Sequence, residues 1–332
     1  PLVALGGAPG GARVAASSIG SMVRRAVGAP VRTARTARAG LRASEALGGN
    51  HERAAARAAW APRIAAAVAD PDALTEERRD TCPWCGSSQL SVHHQVGDLL
   101  QHKPGRFTLE RCEVCSHTFQ NPQLSLAGLD LYYADFYDGV GAELLEFVFA
   151  TAAEQYQQRI DAVARHTQPT AWLDVGGGHG HFSAVARKRW PDAVFDGLDI
   201  GDAILDAERR GWVDTAINGL FPDVVGDLPR SYDVVSMHHY LEHTRDPHLE
   251  LDAAGKVLHD GGFLMIELPD PDCAWGARLG KWWLPWFQPQ HLHLIPVGNL
   301  CDGLVERGFD IVSVERAAAN QPLDAISAVA FS

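Results

Sequence analysis

Residues 171–183 read AWLDVGGGHGHFS. An apolar run stops at three successive glycines and resumes, past His179 and Gly180, as a stretch able to form a helix; the order is strand, tight turn, helix. Gly176, Gly178 and Gly180 fall at the turn, where the lack of a Cβ lets backbone approach a ligand closely. The spacing is G-x-G-x-G. The dinucleotide pattern G-x-G-x-x-G wants its third glycine at position 181, which is His181, so that pattern is not met.

Working outward, AVFDGLDI, DTAI, YDVVSMH and FLMIEL are further strand candidates separated by helix-compatible stretches. With AWLDV they predict five strands alternating with helices, hence an α/β fold built on a doubly wound, Rossmann-like parallel sheet. FDIVSVE and DAISAVAF follow with only RAAANQPL between them, too little for a crossover helix. They are expected to complete a seven-stranded sheet as a final antiparallel hairpin.

The 332 residues and 46% apolar content suffice for a proper core, and no apolar run approaches the roughly 18 residues of a membrane helix. No secretory cleavage pattern is present near the start, which leads to the expectation of a cytoplasmic protein. Charge is uneven. Residues 1–66 carry ten Arg against Glu45 and Glu52, a balance of +8, so with −12 overall the other 266 residues carry −20. A body that acidic repels phosphate backbones and speaks against nucleic acid as a partner. Residues 1–79 form an Ala/Arg-rich leader poor in large apolar residues; Val23, Val27, Val31, Ala34 and Leu41 fall near one helical face with Arg mostly off it. That pattern suits either a solvated, partly helical tail or a peripheral contact with a protein or an anionic membrane surface through residues 1–66.

Residues 80–122 change character, with extended runs such as RFTLERC between turn residues, and read as a small β-ribbon. Cys82-Pro-Trp-Cys85 and Cys112-Glu-Val-Cys115 can bring four thiolates around one ion as two facing knuckles, for which tetrahedral structural zinc is the natural occupant. A redox dithiol or an iron–sulfur centre are the alternatives. Residues 123–165 are read as one or two linking helices.

Asp199 ends the second predicted strand, where a carboxylate can accept both hydroxyls of a ribose. Asp174, at the start of the glycine loop, suits an ammonium group and would repel a pyrophosphate. An amino-acid-bearing nucleoside, S-adenosylmethionine, fits both carboxylates and the loop between them.

With these motifs, residues 166–332 resemble the class I S-adenosylmethionine-dependent methyltransferases. YDVVSMHHYLEHTRDP resembles that family's fourth strand with its Leu-Glu-His segment, here Leu241, Glu242 and His243, and VLHDGGFLMIELPDP resembles the turn and fifth strand that follow. Upstream, CPWCGS, RCEVCSHTFQNP and YYADFYD resemble the zinc-ribbon leader of many bacterial members. The resemblance implies that Asp174, Gly176 and Gly178 hold the methionine end of the cofactor and Asp199 its ribose. It further implies Ile200 on adenine, Asn218 and Gly219 at the amino edge, and His238 beside the methionine moiety.

For the acceptor, the loops at the carboxyl ends of the strands offer His239, Tyr240 and His243 after the fourth strand and WGARLGKWWLPWFQPQHLHLIP after the fifth. His243 is the first candidate for a base, with His291 and Tyr240 behind it. Trp282, Trp283 and Trp286, with His239, are expected to line the acceptor pocket, and packing is the bland alternative for the tryptophans. The expected activity is methyl transfer to an oxygen or nitrogen of a small molecule such as a sugar, a lipid-linked compound or a secondary metabolite. The rivals are an RNA methyltransferase that grips nucleic acid through the ribbon, and a non-catalytic module that binds the cofactor.

Overall fold

The computed structural model describes residues 2–7, a few positions between 58 and 66, residues 74–133 apart from 100 and 102, and residues 142–316. The helix expected around residues 23–41 and the strand expected at 324–331 lie outside the described residues. None of the described helices is long and apolar enough to cross a membrane. The chain divides into two compact units, one of Pro1–Ala26, Ala150–Pro269 and Val297–Ala317, the other of Val27–Phe149, Asp270–Pro296 and Ala318–Ser332.

In the first unit, β5 (Ala171–Val175), β6 (Val194–Asp199), β7 (Thr215–Asn218), β8 (Tyr232–His238) and β9 (Leu258–Leu268) run parallel. β1 (Leu2–Gly7) pairs antiparallel with β9 and with β11 (Asp310–Arg316), giving the order β11-β1-β9-β8-β5-β6-β7. The five parallel strands are the five expected from the alternation. The antiparallel member is one the sequence reading did not foresee: Leu2–Gly7, within the supposed leader, lies between β9 and β11. Six consecutive residues of low polarity, LVALGG, are enough for a strand once two ladders satisfy their backbone groups.

The central strands are covered on both faces, so they read as nearly continuous apolar runs. Trp172 is fully buried, lies 5.8 Å from the Phe195 ring, and donates its Nε1–H to Ser236 Oγ at 2.8 Å. Phe182, Trp190, Val234 and Met265 close around it, with Ile160 and Val163 from the helix α2 (Ala142–Ala164). Between β8 and β9, the helix α6 (Pro247–Val257) starts where sequence rules place it. Asp246 caps the His248 and Leu249 N–H groups at 3.0 and 3.3 Å, and Pro247 occupies the first turn.

The chain winds β5-β6-β7 to one side and then returns to lay β8 and β9 on the other. The order therefore reverses between β5 and β8, and ligands of such sheets bind at the carboxyl ends near that point.

The second unit is a four-stranded antiparallel sheet, β10-β4-β3-β2, with β2 (Leu90–Val96), β3 (Phe107–Cys112), β4 (Thr118–Gln120) and β10 (His293–Leu294). Two boundaries differ from expectation. The helix α1 (Leu126–Tyr133), expected in a linker, packs Tyr132 with Leu124 against Phe107 of this unit. Residues 270–296, expected within the larger domain, join the ribbon because β10 pairs with β4. Trp283 and Trp286 are 2% and 3% exposed and pack with Val96, Leu109 and Leu294.

Candidate active site

Strand register brings the polar residues of the first unit to one edge. Asp174 lies opposite Ser236, Asp199 opposite Asn218, and His238 opposite Glu267, all at or near the carboxyl ends of their strands. The glycine loop between β5 and the helix α3 (His181–Ala186) has φ of +72° at Gly176, +51° at Gly178 and +73° at Gly180, the left-handed region that glycine enters without a Cβ clash. A Cβ on Gly176 would come within 2.5 Å of the Tyr240 ring, whereas one on Gly178 would meet nothing within 4 Å. The loop is thus tightly covered at its start and open at its middle.

Both aspartates are held by donors from the protein. Gly178 N–H donates to Asp199 Oδ2 at 2.9 Å and Gly201 N–H to Oδ1 at 2.8 Å, which fixes the carboxylate plane and leaves each oxygen a second lone pair for a ligand hydroxyl. Ile200 beside it is 66% exposed, and Asn218 Nδ2 donates to the Ile200 carbonyl at 3.1 Å. Gly219 follows at φ +156°. Asp174 Oδ1 accepts from Ser236 Oγ at 2.6 Å and lies 3.3 Å from His238 Nδ1. Burial, with Arg159 nearby, lowers the His238 pKa against the pull of Asp174, so the ring is neutral with its proton on Nδ1. Its Nε2 is then a buried acceptor with no hydrogen-bond partner, the kind of orphan a bound ligand satisfies. An exposed apolar platform, an oriented carboxylate, an open glycine backbone and that acceptor together fit a nucleoside carrying an amino acid.

Next to these groups lies a set of charges that the sequence reading missed, buried except for His239, whose side chain is 38% exposed. Glu267 accepts from Arg159 Nε at 2.6 Å and faces His239 Nε2 at 3.4 Å, while His239 Nδ1 faces Glu242 at 3.1 Å. Two carboxylates on the two ring nitrogens require both to carry protons. Burial opposes the charged ring, but the bonds to Glu242 and Glu267 outweigh it and raise the His239 pKa to about 9. Burial likewise works to raise Glu267, yet His239 and Arg159 hold its carboxyl well below the ordinary range. A glutamate within FLMIEL was the available signal, since a charge in a buried strand requires a partner.

The acceptor-side expectations sort accordingly. His239, held as an imidazolium, is a structural cation rather than a contact that can take a proton. Tyr240 covers Gly176 and donates its hydroxyl to Glu250 Oε2 at 2.9 Å, and burial with the Glu250 charge pushes its pKa up, so it is no base. His243 is half-buried in the turn Leu241–His243, its N–H bonded to the Tyr240 carbonyl at 2.9 Å. His291 belongs to the second unit, where its Nδ1 lies 2.8 Å from the Pro285 carbonyl. Trp283 and Trp286, expected as pocket walls, are instead core of that unit; Trp282 is half-buried with Lys281 4.7 Å above its ring. The tryptophans fill the space beneath a small sheet that has few other large side chains.

The methyltransferase-domain family matches residues 146–314. The chain belongs to that family. It is 30% identical over 95 residues to a ubiquinone biosynthesis O-methyltransferase of Saccharophagus degradans, covering 27% of this chain and 39% of that relative. A ubiquinone biosynthesis O-methyltransferase of Vibrio atlanticus is 31% identical over 99 residues, covering 28% and 41%. The matched part thus spans about two fifths of these relatives' length. Among solved structures, an O-methyltransferase family protein from Burkholderia thailandensis aligns with a TM-score of 0.40 and 19% identity, over 49% of this chain and 53% of that one. As a methyltransferase-family chain it carries the expected donor-side motifs on the expected strands, and Asp174, Gly176, Gly178, Asp199, Ile200, Asn218, Gly219 and His238 are the residues that could hold the cofactor.

In the second unit the two cysteine pairs adopt the same turn twice. Cys82 N–H donates to the Ser87 carbonyl and accepts Gly86 N–H on its own; Cys112 does the same with His117 and Ser116. Gly86 and Ser116 occupy matching left-handed positions, φ +74° and +63°. The four sulfurs lie within 4.8 Å of one another, with Cys82 and Cys115 at 3.7 Å and Cys85 and Cys112 at 3.6 Å. Four thiols converging from paired knuckles are the donor set of a closed tetrahedral site, so the residues fit a structural metal.

Proposed function

We propose that this protein transfers the methyl group of S-adenosylmethionine to an oxygen or nitrogen of a small-molecule acceptor, while zinc on Cys82, Cys85, Cys112 and Cys115 holds the ribbon. The observation that carries the donor assignment is the pair Asp174 and Asp199 on adjacent strands, flanking a glycine loop that is open at Gly178. The curated relatives are O-methyltransferases by name, which favours oxygen as the accepting atom. Bound there, the cofactor supplies an already activated methyl group.

The chain's own residues would then orient and deprotonate. Asp199 accepts the ribose hydroxyls, Asp174 faces the ammonium, and the neutral His238 offers Nε2 beside the methionine moiety. His239, Glu242, Glu267 and Arg159 fix the end of β8 that carries His238. After β8, His243, half-buried in the turn Leu241–His243, is the residue we assign to take the acceptor's proton.

Turnover of labelled donor against a panel of phenols, amines and sugars tests the reading, with His243→Ala as the informative variant. It should lower turnover by about 10²–10⁴ and leave S-adenosylhomocysteine affinity unchanged, because a base acts on the transition state. No binding of S-adenosylhomocysteine to the wild type would refute the donor assignment. Normal turnover in His243→Ala would refute only the base.

A further inference from the structure

Residues 270–296 leave the large sheet after β9 and return to it at the helix α8 (Val297–Glu306), yet they fold with the ribbon. Their fastening is specific. Gln120 N–H donates to the Leu292 carbonyl at 2.9 Å, and Gln120 Nε2 donates to Gln288 Oε1 at 2.7 Å and to the Pro289 carbonyl at 3.2 Å. β10 pairs His293 with Phe119 and Leu294 with Thr118.

One connection reaches further. His117 and His293 are both buried, 0% and 1% exposed, with rings nearly parallel and His293 Nδ1 3.2 Å from His117 Nε2. His117 Nδ1 lies 3.8 Å from Cys82 Sγ. A metal-bound thiolate is an acceptor only, so His117 places its proton on Nδ1 and donates to the sulfur. Its Nε2 is then the acceptor, and His293 donates from Nδ1. With metal on the cysteines, the tautomers of two histidines 176 residues apart would be set by the charge on one sulfur.

We propose that His117 and His293 form a hydrogen-bonded relay through which metal on the four cysteines orders residues 288–296. This rests on the zinc assignment above. Linkage makes the coupling reciprocal: if metal orders the segment, a lesion in the segment weakens the metal by the same factor.

The experiment uses the full-length chain, loaded with zinc and stripped by chelator, with metal content measured in each state. Amide exchange at 288–296 should accelerate on stripping, and His293→Phe, which removes no ligand, should weaken zinc by about 10–100-fold in a chelator competition. In cobalt-loaded protein, His117→Phe and His293→Phe should shift the thiolate-to-metal absorption in the same direction, which a purely packing role would not do. If either variant fails to fold, the imidazole nitrogen chemical shifts of zinc-loaded wild type decide: protons on Nδ1 of both His117 and His293 support the relay, and a proton on Nε2 of His117 overturns it. Wild-type zinc affinity in a folded His293→Phe, or exchange at 288–296 indifferent to zinc, overturns the relay and leaves the zinc assignment standing. Protein that neither carries nor takes up zinc overturns both, and metal analysis alone reveals it.

Discussion

The glycine-loop edge of the large sheet and the cysteine knuckles of the ribbon are built on the same backbone device, a tight turn entering left-handed φ, but they satisfy their functional groups in opposite ways. At the loop, the protein supplies the partners itself: Asp199 takes two backbone N–H groups, Asp174 takes Ser236 and His238, and Glu267 takes Arg159 and His239. At the knuckles, four sulfurs converge on one another. Burial pushes the Cys82 thiol up, with Cys115 adding to the rise, while backbone N–H groups outweigh burial and bring Cys112 down to about 7. The first site draws its donors and counter-charges from the protein, whereas the second gathers sulfurs whose charged form calls for a cation.

Metal removal is the sharpest way to break that contrast. Structural zinc contributes about 10–16 kcal/mol of ligation free energy, so stripping it, or Cys112→Ser, should unfold the ribbon. Metal analysis with a melting curve checks this; a metal-free protein with four reduced thiols and an unchanged melt would erase the distinction between the sites. Asp199→Ala probes the other side. Loss of a carboxylate shared by two ribose hydroxyls should cost about 2–4 kcal/mol of S-adenosylhomocysteine affinity by calorimetry, while the melting temperature in the absence of ligand moves little. A large drop in melting temperature would mean that the loop depends on Asp199 for its fold.

A pH dependence, spread over several pH units, is the most gradual effect. Burial raises the Glu250 pKa to about 7 against the opposing Tyr240 hydrogen bond, while the unfolded chain ionises near the ordinary value of about 4.3. Between these values the folded state holds the extra proton, so stability falls as pH rises, by at most about 3.7 kcal/mol in total. Urea unfolding of wild type and Glu250→Gln from pH 4.5 to 7.5 should show the wild type losing stability relative to the variant. Parallel curves would show that Glu250 is ionised throughout.

Much of both sites was legible in sequence. The cysteine spacing, the glycine loop, Asp199 and the five parallel strands each rest on a local pattern: two residues between ligands, three glycines after an apolar run, or strands alternating with helices. What was not legible is decided by distant partners. His293 and Leu294 form a strand of two residues, too short for any periodicity, and only the β4 edge makes them one. LVALGG was absorbed into an Ala/Arg-rich leader because its neighbours set the composition of the window. Trp283 and Trp286 looked like pocket walls because a small sheet gives no hint in sequence of how much it needs to bury. The pairing of Arg159 with Glu267 spans 108 residues and has no local signature at all.

That two stretches so far apart in the chain make up one ribbon bears on how the molecule can be taken apart. Residues 80–122 look like a cassette that could be trimmed away or exchanged between relatives. Trimming them would strand β10 without its edge and bare Trp283 and Trp286, whose cover comes in part from Val96 and Leu109. A bared patch of that kind invites aggregation. A chimaera that grafts a foreign ribbon should therefore work only when 270–296 travels with it, which makes the two segments a single unit of inheritance despite the roughly 150 residues between them.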